Sequence, residues 1–160
     1  MTVSIRALAE ADIDEVVAFS LRAWAPVFES FRAVLGDEIY PRVYPDWRTS
    51  QARDVAGICR GCLDSTWVAE VDGRPVGFIV VVFDRGAPGA DIEMLAVDPG
   101  HQRRGIATAL MEFAFDRMRK AGVRIVAVGT GGDPGHAPAR RAYEGAGFSP
   151  LPLVRYYKSL

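Results

Sequence analysis

Cysteine and histidine are scarce: the chain has two of each in 160 residues. Cys59 and Cys62 form a single C-x-x-C. A zinc site needs a second pair of ligands at matching spacing, and His101 and His136 stand alone, so no metal is expected. A thioredoxin-like pair would open a helix after a strand, whereas this one falls late in a helical stretch. Two small apolar residues on one helix face account for it, and so low a thiol content fits a reducing cytoplasm.

Charge of one sign is also missing. Nineteen Lys and Arg against twenty Asp and Glu leave a net charge of −1, which gives no field to gather nucleic acid or anionic lipid. The longest apolar run, Val76 to Phe83, is far short of the ~20 residues of a membrane helix. The start, MTVSIRALAE, has no apolar stretch of the kind a secretory leader carries. Neither a nucleic-acid nor a membrane partner is expected, and the location is read as cytoplasmic. Two phosphate signatures are absent as well. No G-x-x-x-x-G-K-[ST] occurs, and after Gly129 and Gly131 the place of the third dinucleotide glycine is taken by Pro134.

What remains is an ordinary globular composition, 49% apolar and 24% charged, read as one domain over residues 1–160 with a sizeable core. Val3 to Leu8 alternates as a strand. Glu10, Asp12, Asp14 and Glu15 then crowd a helix start, where acidic groups suit the dipole. The helical pattern runs through Val16, Phe19 and Trp24. Pro26 is expected to kink or end it, with a second helical piece carrying Phe28 and Phe31. Seven of the sixteen aromatics fall between Phe19 and Trp47, either packing that segment onto a sheet or lining a substrate pocket. Ser50 to Leu63 reads as another helix. Thr66–Val71 and Val76–Phe83 read as strands joined by the hairpin turn Asp72-Gly73, and Arg85–Gly89 as a loop.

The organising stretch is Asp91 to Ala121. An apolar strand, Ile92–Val97, runs into the turn DPGHQRRG and on into an amphipathic helix from Gly105 to Ala121, with Ile106, Leu110, Phe113 and Ala114 on one face. Gly122 stops it, and Val123–Val128 reads as a buried strand, which completes a parallel βαβ unit. The first amides of a helix have no partner within it and carry partial positive charge. Gly105 and Ala107 keep bulk away, and Arg103 and Arg104 add charge. A phosphate or pyrophosphate is the natural guest. A Gly-rich loop, 129–138, leads to a helix over Ala139–Ala146, and Phe148–Lys158 reads as one or two closing strands.

The turn matches Q-x-x-G-x-[GA] as Gln102-Arg103-Arg104-Gly105-Ile106-Ala107. The last helix matches A-x-x-x-Y-E-x-x-G-F, with Ala139, Tyr143, Glu144, Gly147 and Phe148 at the fixed places. Both motifs, in this order, resemble those of the GNAT superfamily of N-acetyltransferases, and the resemblance spans nearly the whole chain, weakest from Phe28 to Ser65. It implies an α/β (α+β) fold with a central mixed sheet of about six or seven strands and about four or five flanking helices. It implies acetyl-CoA as co-substrate and a primary amine as acceptor, joined by direct attack in a ternary complex. The pantetheine arm would bond backbone groups of Leu95, Ala96 and Val97 where the sheet splays. The pyrophosphate would lie on Gln102, Arg103, Arg104, Gly105, Ile106, Ala107 and Thr108. An amide near Leu95 would polarise the thioester carbonyl.

The attacking amine must lose a proton, and a strand carboxylate is the first choice for taking it: Glu93, then Asp91. Tyr143 would donate to the leaving sulfur. Seven residues before that tyrosine the family often carries an Asn that helps hold the cofactor. Here it is His136, which could replace that contact, serve as the base with Asp133 orienting it, or cap the helix. A non-catalytic acyl-CoA-binding sensor is the alternative; it would keep the turn but need neither Tyr143 nor Glu93. The acceptor itself is not legible, and the edge near Val154–Tyr157 is the candidate surface for a homodimer.

Overall fold

The computed structural model describes residues 1–84 and 89–160; the expected loop at Arg85–Gly89 falls largely outside them. The elements run β1 (Ser4–Ala7), α1 (Ile13–Val43), α2 (Trp47–Gly61), β2 (Thr66–Val71), β3 (Arg74–Phe83), β4 (Gly89–Val97), α3 (Ile106–Lys120), β5 (Ile125–Val128) and α4 (Ala137–Gly145). The strands form one mixed sheet in sequence order. Pairs are antiparallel up to β3–β4, and β4–β5 is parallel. Asp72 and Gly73 both take positive φ, 49° and 78°, as a two-residue hairpin of primed type requires.

The core has two halves, one on each face of the sheet, because successive side chains of a strand point to opposite faces. Trp67, Ala69, Ile79 and Val81 bury against Ile106, Leu110, Met111 and Met118 of α3. Val68, Phe78 and Val80 bury against Val16, Phe19, Val55 and Cys59 of α1 and α2. Cys59 therefore belongs to the core, and burial pushes its thiol up to about 11, so it is no nucleophile near neutrality. A Cβ at Gly77 would lie 3.1 Å from Ile106 Cγ2. That glycine lets the first turn of α3 sit close on β3, and so helps set the height of the loop before it.

Three expectations are corrected. Pro26 does not end the first helix. The chain stays helical through it and breaks at Gly36 (φ 78°, ψ 173°). The lost hydrogen bond at Pro26 is outweighed because both flanks are anchored, Phe19 and Trp24 edge-on to Phe78 and Phe28 stacked on Trp47 at 4.2 Å. Second, β5 is a half-exposed edge strand rather than a buried one, with Ile125 71% exposed. Third, no strand forms over Phe148–Lys158. The sheet therefore has five strands among the described residues, not six or seven. Pro150 and Pro152 have no N–H to give to a ladder, and Leu151, Leu153, Val154 and Tyr156 stand exposed.

Candidate active site

The two strands of the parallel pair separate part-way. β5 pairs with β4 only from Gly89 to Ile92. At that point β4 bulges: Val80 faces Met94 while Val81 faces Ile92, which leaves Glu93 as the extra residue. Beyond the bulge the hydrogen-bond phase follows from one contact. Asp98 N donates to Val76 O at 2.8 Å, so residues 98, 96 and 94 bond to β3, and the N–H and C=O of Leu95 and Val97 point into the gap.

The gap opens onto a cleft of about 410 Å³ whose walls come from α1, β4, α3 and α4. Its floor includes Leu95, Ala96 and Val97. The turn before α3 lines the same cleft. Gly105 has φ 79° and Arg103 φ 62°, a left-handed pair that wraps the chain tightly. A non-glycine residue in this region is strained and marks a place to look for function. Ala109 N is the first amide of α3 to find a backbone carbonyl, Gly105 O at 2.9 Å, and among the described residues the amides of Ile106, Ala107 and Thr108 have none. Space outside Gly105 is open: a Cβ there would meet nothing within 4 Å. Among the described residues lining the cleft no side chain is a carboxylate, and Arg103 is the one fixed charge. Those features suit an anion.

Tyr143 of α4 lines the cleft, edge-on to Phe148 at 5.9 Å between ring centres. Burial pushes its hydroxyl above the ordinary phenol value, so it remains a proton donor over a wide pH range. The same wall carries His136. Its Nδ1 lies 2.5 Å from Asp133 Oδ1, and Ser30 of α1 donates to Asp133 Oδ2 at 2.6 Å. Gly135 N donates both to Ser30 Oγ, at 2.9 Å, and to Asp133 Oδ2, at 3.2 Å. Burial works to raise the Asp133 carboxyl, but the bonds from Ser30 and His136 win, and it sits below its ordinary value.

The sequence profile described as "Acetyltransferase (GNAT) family" matches residues 28–148. The chain belongs to the GNAT acetyltransferase family. One GNAT relative, a mycothiol acetyltransferase of Propionibacterium freudenreichii, is 30% identical over 142 residues, 86% of this chain and 40% of its own. A PaiA N-acetyltransferase of Thermoplasma acidophilum, solved with coenzyme A, shares the fold at TM-score 0.70 and 20% identity, covering 93% of this chain and 91% of that one. AAC(6')-Iy, solved with the bisubstrate analogue CoA-S-monomethyl-acetylneamine, shares it at TM-score 0.64 and 18% identity, covering 100% and 99%. The chain spans well under half the length of the curated relatives it matches, from 22% to 42%.

In this GNAT chain most of the residues singled out from sequence converge on the cleft, but not all. Gln102 lines it, yet its side chain donates to Val97 O at 3.0 Å and ties the turn back to the strand. Ala96 lines it, although the strand phase commits its backbone groups to β3. Arg104 is exposed, does not line the cleft and approaches Met1 Sδ at 3.7 Å. Glu93 and Asp91 are exposed and also outside the lining. Trp24 on the α1 wall is one of the aromatics expected either to pack that segment or to line a pocket, whereas Ser30, Val27 and His101, whose buried Nδ1 has no partner among the described residues, were not foreseen. Among the described residues no group of three or more His, Cys, Asp or Glu could hold a metal ion, and no helix is long and apolar enough to cross a membrane.

Proposed function

We propose that the protein is an N-acetyltransferase that moves acetyl from acetyl-CoA to a primary amine by direct attack in a ternary complex. The observation that carries this is the set of groups that line one cleft: the α3 turn with Arg103 and helix amides that lack a backbone partner, the open edge of β4, and Tyr143. That set fits a ligand with a phosphate end, an amide-bearing arm and a thioester. Ile106, Ala107 and Thr108 would hold the pyrophosphate through their amides, with Gly105 and Arg103 shaping the turn. Leu95 and Val97 would bond the arm as an added strand does. The Leu95 N–H, fixed before the reaction starts, would stabilise charge growing on the carbonyl oxygen. Tyr143 would donate to the departing sulfur.

The test is calorimetric titration with acetyl-CoA, followed by thiol release with spermidine, neamine, 2,4-diaminobutyrate and an alanyl peptide as acceptors. Binding with turnover on at least one amine is expected. Binding with no turnover on a wider panel would favour an acyl-CoA sensor, and no binding would end the reading altogether.

The assembly included in this reading is a homodimer. Tyr157 of the arm over residues 149–160 lies beside Tyr44, and burial, with Tyr157 adding to it, pushes the Tyr44 hydroxyl up to about 12. Leu153 and Tyr156 are more than 80% exposed, and among the described residues the outer edge of β5 has no strand beside it. A second copy would cover both. Light scattering should give twice the 17.4 kDa of the chain; the single-chain mass at micromolar concentration would refute the dimer.

A further inference from the structure

The Gly-rich loop between β5 and α4 plays no part in the reading above, and its construction is specific. A Cβ at Gly131 would overlap both Asp133 Oδ1 and His136 Nδ1, and one at Gly135 would lie 2.5 Å from Ser30 Cβ. Neither glycine has positive φ, so what they provide is room for the His136–Asp133 pair. Arg140 of α4 closes the loop from below, donating to Gly131 O at 2.6 Å and Asp133 O at 2.7 Å. Ser30, 103 residues away in sequence, holds the other carboxylate oxygen. The Asp133 and His136 side chains are only 9% and 18% exposed.

This is more than a helix cap needs. An ionised carboxylate on Nδ1 holds the proton there and leaves Nε2 as the basic nitrogen. The ring packs on Phe31 of α1 at 5.4 Å between centres and lines the same cleft as Tyr143. Glu93, by contrast, stands exposed on the strand bulge outside that lining.

We propose that His136 is the general base of the transfer and that Asp133, held by Ser30, is its positioning residue. The inference rests on the acetyltransferase reading. The amine nitrogen bonds to the acetyl carbon as the carbon–sulfur bond breaks. The electron pair leaves on sulfur, the proton from nitrogen goes to His136 Nε2, and solvent carries it on to the thiolate. Of the titratable and charged groups, Asp133 shares its loop, Arg140 of α4 bonds that loop, and Tyr143, His101 and Arg103 line the same cleft; α1 presents neutral Ser30 and Phe31. The base works only when neutral, so kcat/KM falls as pH drops and the imidazole takes up a proton.

The experiment compares wild type, His136→Asn, Asp133→Asn and Glu93→Gln, with acetyl-CoA and whichever of the four named amines turns over. His136→Asn is expected to lose about 10²–10⁴-fold in kcat, to keep acetyl-CoA affinity within about threefold, and to lose the acid limb of the pH profile. Asp133→Asn should lose about tenfold or more and shift that limb, since its amide cannot hold the same tautomer. Nitrogen-15 spectra of the wild-type imidazole, which need no variant to fold, should show the proton on Nδ1 and titrate in step with the limb. Unchanged kcat and acid limb in His136→Asn, loss confined to Glu93→Gln, or a proton on Nε2 would each overturn the assignment. A wild type that transfers acetyl to none of the amines would instead remove the acetyltransferase reading, and the base with it.

Discussion

Gly105→Glu is expected to weaken acetyl-CoA binding at least about 100-fold, or about 2.7 kcal/mol, while the protein stays folded. The two effects separate because of where the glycine lies. At φ 79° a side chain is strained, by roughly 1–2 kcal/mol. Yet a Cβ there meets nothing within 4 Å, so the new side chain extends into open space rather than into the core. For a chain of this size that strain lowers Tm by only a few degrees, about 2–4 °C per kcal/mol. What the carboxylate does occupy is the approach to the Ile106, Ala107 and Thr108 amides. There it satisfies them itself and repels any phosphate. Gly105→Ala is the control: it carries the strain without the charge, and its affinity should fall only a few-fold. Equal losses in the two variants would mean that loop shape governs binding and the anion site at α3 is of little account. Intact binding in Gly105→Glu would show that the phosphates lie elsewhere.

Much of this site was legible because its parts are local in sequence. The α3 turn needs only Gly105 before the helix and Gly122 after it, both of which take φ near 80°. The hairpin needs only Asp72-Gly73. The splayed strands followed from the resemblance, and β5 pairs with only the first part of β4. What escaped notice depends on distant partners. Pro26 alone predicts a kink or an end, but its cost is outweighed by Phe78 and Trp47, which sit on other elements. Asp133 was in view as an orienting group for His136, whereas Ser30 was not, because nothing in a helical serine announces a carboxylate 103 residues on. The bulge at Glu93 is hidden as well. A strand read with strict alternation places Asp91 and Glu93 on one face, and only the pairing with β3 shows that the phase changes between Ile92 and Met94. The closing strands failed for a local reason that was visible: Pro150 and Pro152 have no N–H to give to a ladder.

Tyr143→Phe is expected to lower kcat about 10²-fold, the low end of what a placed proton donor contributes, with acetyl-CoA affinity unchanged within about threefold. The ring should stay in place, since it packs against Phe148 and the variant removes only an oxygen. The size of the loss follows from acidity. An ordinary phenol near ~10 is already weaker than a thiol near ~8.5, so full proton transfer to sulfur is uphill by about 2 kcal/mol. Burial pushes the Tyr143 hydroxyl further up, which makes transfer less favourable and favours a hydrogen bond that strengthens as charge gathers on sulfur. The sign for pH follows directly. A raised value keeps the donor protonated, so activity in the wild type should hold to higher pH than an ordinary tyrosine would allow and fall only when the hydroxyl ionises. The phenylalanine variant, slower throughout, should lack that alkaline fall. Acyl donors with a more acidic leaving thiol should narrow the gap between the two proteins, because such a thiolate needs less help. An equal gap with every donor, or no loss of kcat at all, would reduce Tyr143 to a packing residue of α4.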